Sequence, residues 1–369
     1  MADVLLVSKP VAPPWHDSSK NLVRDLARNM RRHTPVVLTR PGVELAMPRA
    51  RVEALYRDRG GFSPALRENA RVLARLVAGK RTDLWHFFFA PNPRTSRIGR
   101  AAARLRRART LQTVCSAPRA ELDIASVLFA DRVIVLSDHT RRRCIEAGVA
   151  PERLRLIRPG IPALTPLAAP DVPAARARLG VPERRPLVVY AGDLEFGRGA
   201  ELALEAHADL PRNWGSWLVI ASREKTARAR ERAEQLRARA RALGVAESVQ
   251  FMGETPFIHD LLAVADLVTL PTDSLFAKMD LPLVLVEAMA LGRAVLVGTG
   301  TPAEELAASG GAVAVATERA AVSALTCALL EDAPRRSELG ARARQVALRD
   351  YDVAAMATQY EALYDELGA

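Results

Sequence analysis

The sequence predicts an α/β protein built from two Rossmann-like domains, each a doubly wound parallel sheet, on three observations. Its 369 residues exceed what one hydrophobic core usually organises. Hydrophobic residues make up 49% and charged residues 26%, the balance of a globular chain and not of a disordered one. Short β-branched or apolar runs alternate with longer amphipathic stretches throughout, the pattern of parallel strands joined by crossover helices.

In the first half the strand candidates are residues 3–8, 35–39, 52–56, 84–89, 111–116, 133–137 and 154–157. In the second half they are 187–191, 217–221, 248–252, 267–270, 294–298 and 312–315. Between the halves lies 159–186, rich in Pro, Ala and Gly with one short helix near 172–179, which reads as the interdomain connection. The expected domains are therefore 1–160 and 161–350. Residues 223–243 are dense in Arg, Glu and Ala and predict a long helix of alternating charge. A solvated face explains it, and a contact surface is the alternative. In the last stretch Val353, Met356, Tyr360, Leu363 and Tyr364 fall at helical spacing, so this helix should pack by one apolar stripe.

Charge divides unevenly. Residues 1–160 carry 31 Lys and Arg against 14 Asp and Glu, while the remainder carries 22 against 28. A basic half suits anionic partners such as lipid headgroups or a phosphorylated acceptor, although Arg used for general solubility would look the same. With 5% aromatic residues and no zinc-finger or RNP-like pattern, no specific nucleic-acid partner is expected. Three cysteines without metal-ligand spacing read as reduced thiols. No apolar run approaches the roughly 20 residues that span a bilayer, so a cytoplasmic location is expected, with peripheral contact at the inner face of the membrane through the basic half.

Two segments carry chemistry. The first strand runs into Ser8-Lys9-Pro10 and on to Asp17-Ser18-Ser19-Lys20 before a helix, with no G-x-G-x-x-G to seat a dinucleotide. These residues suit helix capping, or the helix start offers its amides to an anion. In the second half, Tyr190-Ala191-Gly192-Asp193-Leu194-Glu195-Phe196-Gly197-Arg198-Gly199 is a buried strand leaving into a glycine-containing loop, with an arginine just ahead of a helix. Such a loop brings backbone and guanidinium against a phosphate. Further on comes Lys278-Met279-Asp280-Leu281-Pro282-Leu283-Val284-Leu285-Val286-Glu287-Ala288-Met289-Ala290-Leu291-Gly292, in which Glu287 is the one carboxylate of the apolar run that follows Asp280. An ionised Glu there needs partners, and ribose hydroxyls are suitable ones.

These residues resemble the large retaining group of GT-B glycosyltransferases that includes sucrose synthases, glycogen synthases and bacterial lipopolysaccharide and mannosyl transferases. The group's G-R-L-x-x-x-K-G is matched at Gly192, Leu194, Arg198 and Gly199, and its E-A-M-A-x-G-x-P-V by Glu287 to Val295 with Ala294 in the proline position. Ala265-Asp266 to Pro271 and Ala130-Asp131 to Ser137 echo two further motifs, so the likeness spans nearly the whole chain.

The resemblance implies a GT-B fold, two sheets facing across a cleft, with residues 351–369 crossing back to the first domain. It implies transfer of a sugar from a nucleotide-diphosphate donor, with retention and without a metal or other cofactor, to an acceptor for which a lipid-linked or anionic molecule fits the charge. Arg198 aligns with the cation on the donor phosphates, Glu287 with the glutamate that holds the ribose, and His86 with a histidine near the cleft; a structural His86 is the alternative. Ser18, Ser19, Lys20, Gly192, Glu254, Lys278, Asp280, Leu281, Pro282 and Val286 complete the expected donor site. Asp350-Tyr351-Asp352 reads as a helix cap and not as a metal motif. Three positions depart from the group: Met279 replaces the first glutamate of E-x7-E, Asp193 an arginine, and Cys115 a histidine. These departures keep open a non-catalytic nucleotide-sugar binder and a nucleotide-sugar epimerase.

Overall fold

The computed structural model describes residues 1–57, 64–89, 92–116, 123–276 and 278–368. The chain divides into two compact units. The first joins Met1–Pro162 to residues 277–281 and 351–369; the second comprises Ala163–Phe276 and Pro282–Asp350. This differs from the sequence reading in one place, because a short stretch from the middle of the expected second domain belongs with the first.

In the first unit the strands are β1 (Asp3–Val7), β2 (Thr34–Thr39), β3 (Arg51–Ala54), β4 (Leu84–Phe88), β5 (Arg109–Val114), β6 (Arg132–Val135) and β7 (Leu154–Leu156). They form a parallel sheet in the order β3-β2-β1-β4-β5-β6-β7. Every residue of β4 is buried, as expected of a central strand covered on both faces. The second unit holds β8 (Leu187–Ala191), β9 (Trp217–Ala221), β10 (Val249–Met252), β11 (Leu267–Leu270), β12 (Val295–Gly298) and β13 (Val313–Val315), parallel in the order β10-β9-β8-β11-β12-β13. Both sheets therefore reverse direction beside their first strand, at β1/β4 and at β8/β11. In open parallel sheets the carboxyl ends of the strands at such a reversal are where ligands bind.

The helix Val353–Glu366 packs on the first unit. Asp352 caps it, accepting from the amide of Ala355 at 2.7 Å. Its buried Glu361 accepts from the amides of Arg31, Arg32 and His33 at 2.9, 2.6 and 3.1 Å, so one carboxylate closes the turn after the helix Ser18–Asn29. Tyr364 Oη lies 2.8 Å from His86 Nδ1 on β4, and Thr113 Oγ1 of β5 lies 2.8 Å from His86 Nε2. Burial holds this imidazole neutral, its pKa well below the usual value.

In the second unit, Arg176 of the helix Val172–Leu179 donates to the carbonyls of Pro182, Glu183, Arg185 and Val264, fastening the connection to the sheet. The charged helix spans Ala227–Ala242, starting later than the sequence predicts because the Thr226 hydroxyl caps it at the amide of Ala229. Gly340 of the helix Ala333–Asp350 meets the turn at Gly292 so closely that a Cβ there would collide with the Gly292 carbonyl. This contact seats the neighbouring helix Leu283–Ala290, which carries Glu287.

Two outcomes follow from the buried imidazoles. Tyr364→Phe leaves His86 Nδ1 unpartnered in the core and should lower stability by about 1–3 kcal/mol, read from urea unfolding followed by tryptophan fluorescence. His207, buried beside Ser248, is lowered to about 4 by desolvation. The unfolded chain therefore takes up a proton below about pH 6.5 that the folded chain refuses until about pH 4, and stability falls as pH drops through that window. His207→Gln should remove up to about 3 kcal/mol of this loss, measured as the difference in urea midpoints between neutral pH and pH 4.

Candidate functional site

At the carboxyl edge of the second sheet, the exits of β8 and β11 are tied to one another. Tyr190 Oη donates to the carbonyl of Asp193 at 2.6 Å, and the Asp193 carboxylate accepts from the amide of Glu195 at 2.6 Å, turning the chain sharply after the strand. Gly192 lies against Tyr190 and Leu270, and a Cβ on Gly197 would collide with the Thr272 hydroxyl. Phe196 meets Phe276 edge to face, with ring centroids 5.1 Å apart. The amide of Arg198 donates to Asp273 Oδ1 at 3.0 Å.

This packing delivers Arg198 to the start of the helix Gly199–Ala208, where no side chain caps the following amides. The guanidinium is 56% exposed, and its contact with Glu201 Oε2 is long, at 3.9 Å. An exposed pair at that distance is heavily screened, so the cation is available to an anionic ligand. A helix N-terminus adds partial positive charge at the same place.

Glu287 is the one polar residue in the helix Leu283–Ala290. Its side chain is 18% exposed, and His259 Nε2 stands 3.6 Å from Oε1. A carboxylate so placed on an apolar helix still has lone pairs for hydroxyl donors. Glu254 is exposed in the loop that follows β10. Asp273 and His259, which orient the arginine and flank the glutamate, escaped the sequence reading. The only signal for Asp273 was its place directly after Pro271-Thr272 in the motif echo.

In the first unit several of the expected residues are engaged in internal contacts. His86 is fully buried with both ring nitrogens occupied, which favours the structural alternative. In the Asp17 turn, the Asp17 carboxylate accepts from the amides of Ser19 and Lys20 at 3.1 and 3.4 Å and pairs with Lys9 at 3.1 Å. Lys20 Nζ donates to the Pro14 carbonyl. The place of an incoming anion is held by an internal one, which favours capping for Ser18, Ser19 and Lys20.

Asp280 also departs from the donor-binding expectation. It is buried, its oxygens accept from the hydroxyls of Ser137 at 2.5 Å and Thr140 at 2.7 Å, and its amide donates to the Cys115 carbonyl at 3.0 Å. Ser137 in turn caps the helix Asp138–Glu146, so this carboxylate sits against a helix start. Leu281 and Val286 are fully buried, and Pro282 is buried at the cap of the helix bearing Glu287. Lys278 is half-buried. Cys115 is a buried thiol whose pKa is pushed up to about 12 by desolvation, so it stays protonated.

Residues 171–346, nearly the whole second unit, match the family model described as glycosyl transferases group 1. That stretch is thus similar to glycosyl transferases group 1. A D-inositol 3-phosphate glycosyltransferase of Catenulispora acidiphila is 30% identical over 245 residues, covering 62% of this chain and 56% of that protein. A second, from Kineococcus radiotolerans, is 33% identical over 84 residues, 22% of this chain and 19% of the relative. The chain thus spans about half or less of the length of these curated relatives.

Solved structures extend the likeness to both units. Anabaena HepE, in complex with UDP and glucose, superimposes with a TM-score of 0.81 at 19% identity, over 99% of this chain and 100% of that one. Sucrose-phosphate synthase of Thermosynechococcus elongatus gives 0.76 at 20% identity, over 100% and 99%. WaaG, a glycosyltransferase of lipopolysaccharide biosynthesis, gives 0.71 at 17% identity, over 97% and 98%. The fold is GT-B. Within the matched stretch, Arg198, Glu254 and Glu287 are expected donor contacts that stay partly or largely accessible on that unit.

Because Asp280 satisfies two buried hydroxyls, Asp280→Ala should cost about 2–4 kcal/mol in urea unfolding followed at Trp85, and Asp280→Asn less than half of that. Equal losses in the two variants would mean that charge, and not hydrogen bonding, holds the segment.

Proposed function

We propose that this chain is a glycosyltransferase that takes a sugar from a nucleotide-diphosphate donor. The observation that carries the reading is the exposed, weakly paired Arg198 at an uncapped helix start, in a stretch that matches the group 1 family model. HepE was solved with UDP-glucose, which makes a uridine diphosphate donor the first to try here. Arg198 and the helix amides would neutralise the departing diphosphate, while Glu287, steadied by His259, would take the ribose hydroxyls. Gly192, Glu254 and Lys278 remain proposed donor-side residues.

Transfer is proposed to retain configuration. The C1–oxygen bond to the diphosphate breaks, the acceptor oxygen bonds C1 on the same face, and the acceptor proton passes to the leaving phosphate oxygen. This route needs no strong protein base, which suits a protonated Cys115 and a structural His86. It is proposed to run without metal, in the cytoplasm or at the inner face of the membrane, on an anionic or lipid-linked acceptor that matches the basic first half.

Thermal shift with UDP, GDP, ADP, CMP and TDP compounds identifies the nucleotide, and release of the diphosphate from the matching sugar donor measures turnover. Arg198→Ala should lower kcat by about 10²- to 10³-fold, the usual loss of one charge stabiliser. Glu287→Ala should weaken nucleotide binding by about 1.5–3 kcal/mol. EDTA should leave the rate unchanged, and the product anomer by NMR should match the donor. Binding without turnover would establish a nucleotide-sugar binder instead, and a changed sugar without any acceptor would establish an epimerase.

A further inference from the structure

The helix Pro93–Arg106 turns its small residues inward and its large ones outward. Ser96, Gly99, Ala102 and Ala103 are buried, and Gly99 lies so close to the Phe129 ring that a Cβ would sit 2.7 Å from it. Arg94, Arg97, Ile98, Ala101, Arg104 and Leu105 face solvent. At 100° per residue these six fall within an arc of about 120°. Ile98 is 44% and Leu105 69% exposed, one turn and three turns from Arg94 on that arc. A helix placed only to cover a sheet gains by burying Ile and Leu; here Gly and Ala take the buried positions.

The charge on this face is of one sign. The helix PRTSRIGRAAARLR contains no Asp or Glu. Arg100 and Arg106 are used internally, donating to the carbonyl of Ser126 and to those of Val77 and Gly79. Among the described residues, no carboxylate pairs with Arg94, Arg97 or Arg104.

We propose that this face docks the protein on an anionic lipid bilayer, with Ile98, Ala101 and Leu105 entering the acyl boundary and Arg94, Arg97 and Arg104 meeting headgroup phosphates. Aliphatic residues flanked by arginines on one helix face are the composition of an interfacial helix. A protein partner is less suited, because the face is a single convex helix without the aromatic anchors on which interfaces depend. Nucleic acid is less suited for the same lack of stacking groups and for the aliphatic stripe. The inference deepens the membrane part of the proposed function and requires neither the donor nor turnover to be tested.

The test is flotation of the full chain with phosphatidylcholine vesicles and with vesicles that also contain phosphatidylglycerol, at low and at moderate salt. Binding is expected only with phosphatidylglycerol and should weaken with salt. Ile98→Ser with Leu105→Ser should weaken it at least tenfold. Arg94→Gln, Arg97→Gln and Arg104→Gln together should weaken it about a hundredfold, at roughly fivefold per basic residue. All five positions are exposed, so unchanged thermal melting separates lost docking from lost folding. Absence of vesicle binding, or equal binding by wild type and variants, overturns the proposal. So does a wild-type dimer in light scattering that the apolar pair converts to monomer, which would make the occupant a second copy. Diphosphate release from a soluble donor is assayed alongside, so that failed docking with intact turnover leaves the transfer reading standing, and docking without turnover removes only that reading.

Discussion

Parallel strands leave a sheet at one edge, and every connection that follows must start there. Where the strand order reverses beside the first strand, outgoing loops part to opposite faces and leave room between them. In the second unit this constraint sets the position of each candidate group. Arg198 follows β8, Asp273 follows β11, Glu254 follows β10, and Glu287 rides on the helix that leads from β11 to β12. None of these residues is close to all the others in sequence, yet one backbone rule collects them on one rim.

In the first unit, by itself, carboxylates that are buried or partly buried do much of the fastening. Glu361 closes three backbone amides, Asp280 closes two hydroxyls, and Asp17 closes the amides of Ser19 and Lys20. Each meets donors with fixed geometry, so the hydrogen bonds offset the cost of desolvation. The contrast with Arg198 is physical: Glu361 and Asp280 are enclosed and engaged by several donors, whereas the candidate ligand group is exposed and loosely paired. The same contrast separates His86, enclosed by Tyr364 and Thr113, from His259, which stands half-exposed beside Glu287.

The strands were legible because a central parallel strand is covered on both faces and must be apolar throughout, as in LWHFF of β4 and LVVYA of β8. Edge strands were less so: β3 spans Arg51–Ala54, offset from the expected 52–56, because an edge needs apolar residues on one face only. Arg198 and Glu287 were legible from motif spacing. The partners of His86 and Asp280 were not, since Tyr364 lies 278 residues from His86 and Ser137 lies 143 from Asp280. Local pattern carries no signal for a contact that only the completed sheet creates.

The first unit is assembled from three separate stretches of chain, while the second lies entirely inside the span of the first. During synthesis on a ribosome, the strands of the first sheet emerge first but lack Glu361 and Tyr364 until the helix Val353–Glu366 has been made. The amides of Arg31–His33 and the imidazole of His86 must rely on water for partners through the translation of the whole second unit. Completion of the early half is thereby made conditional on delivery of the late one, so a truncated nascent chain can form its later sheet and still leave its earlier one unsealed.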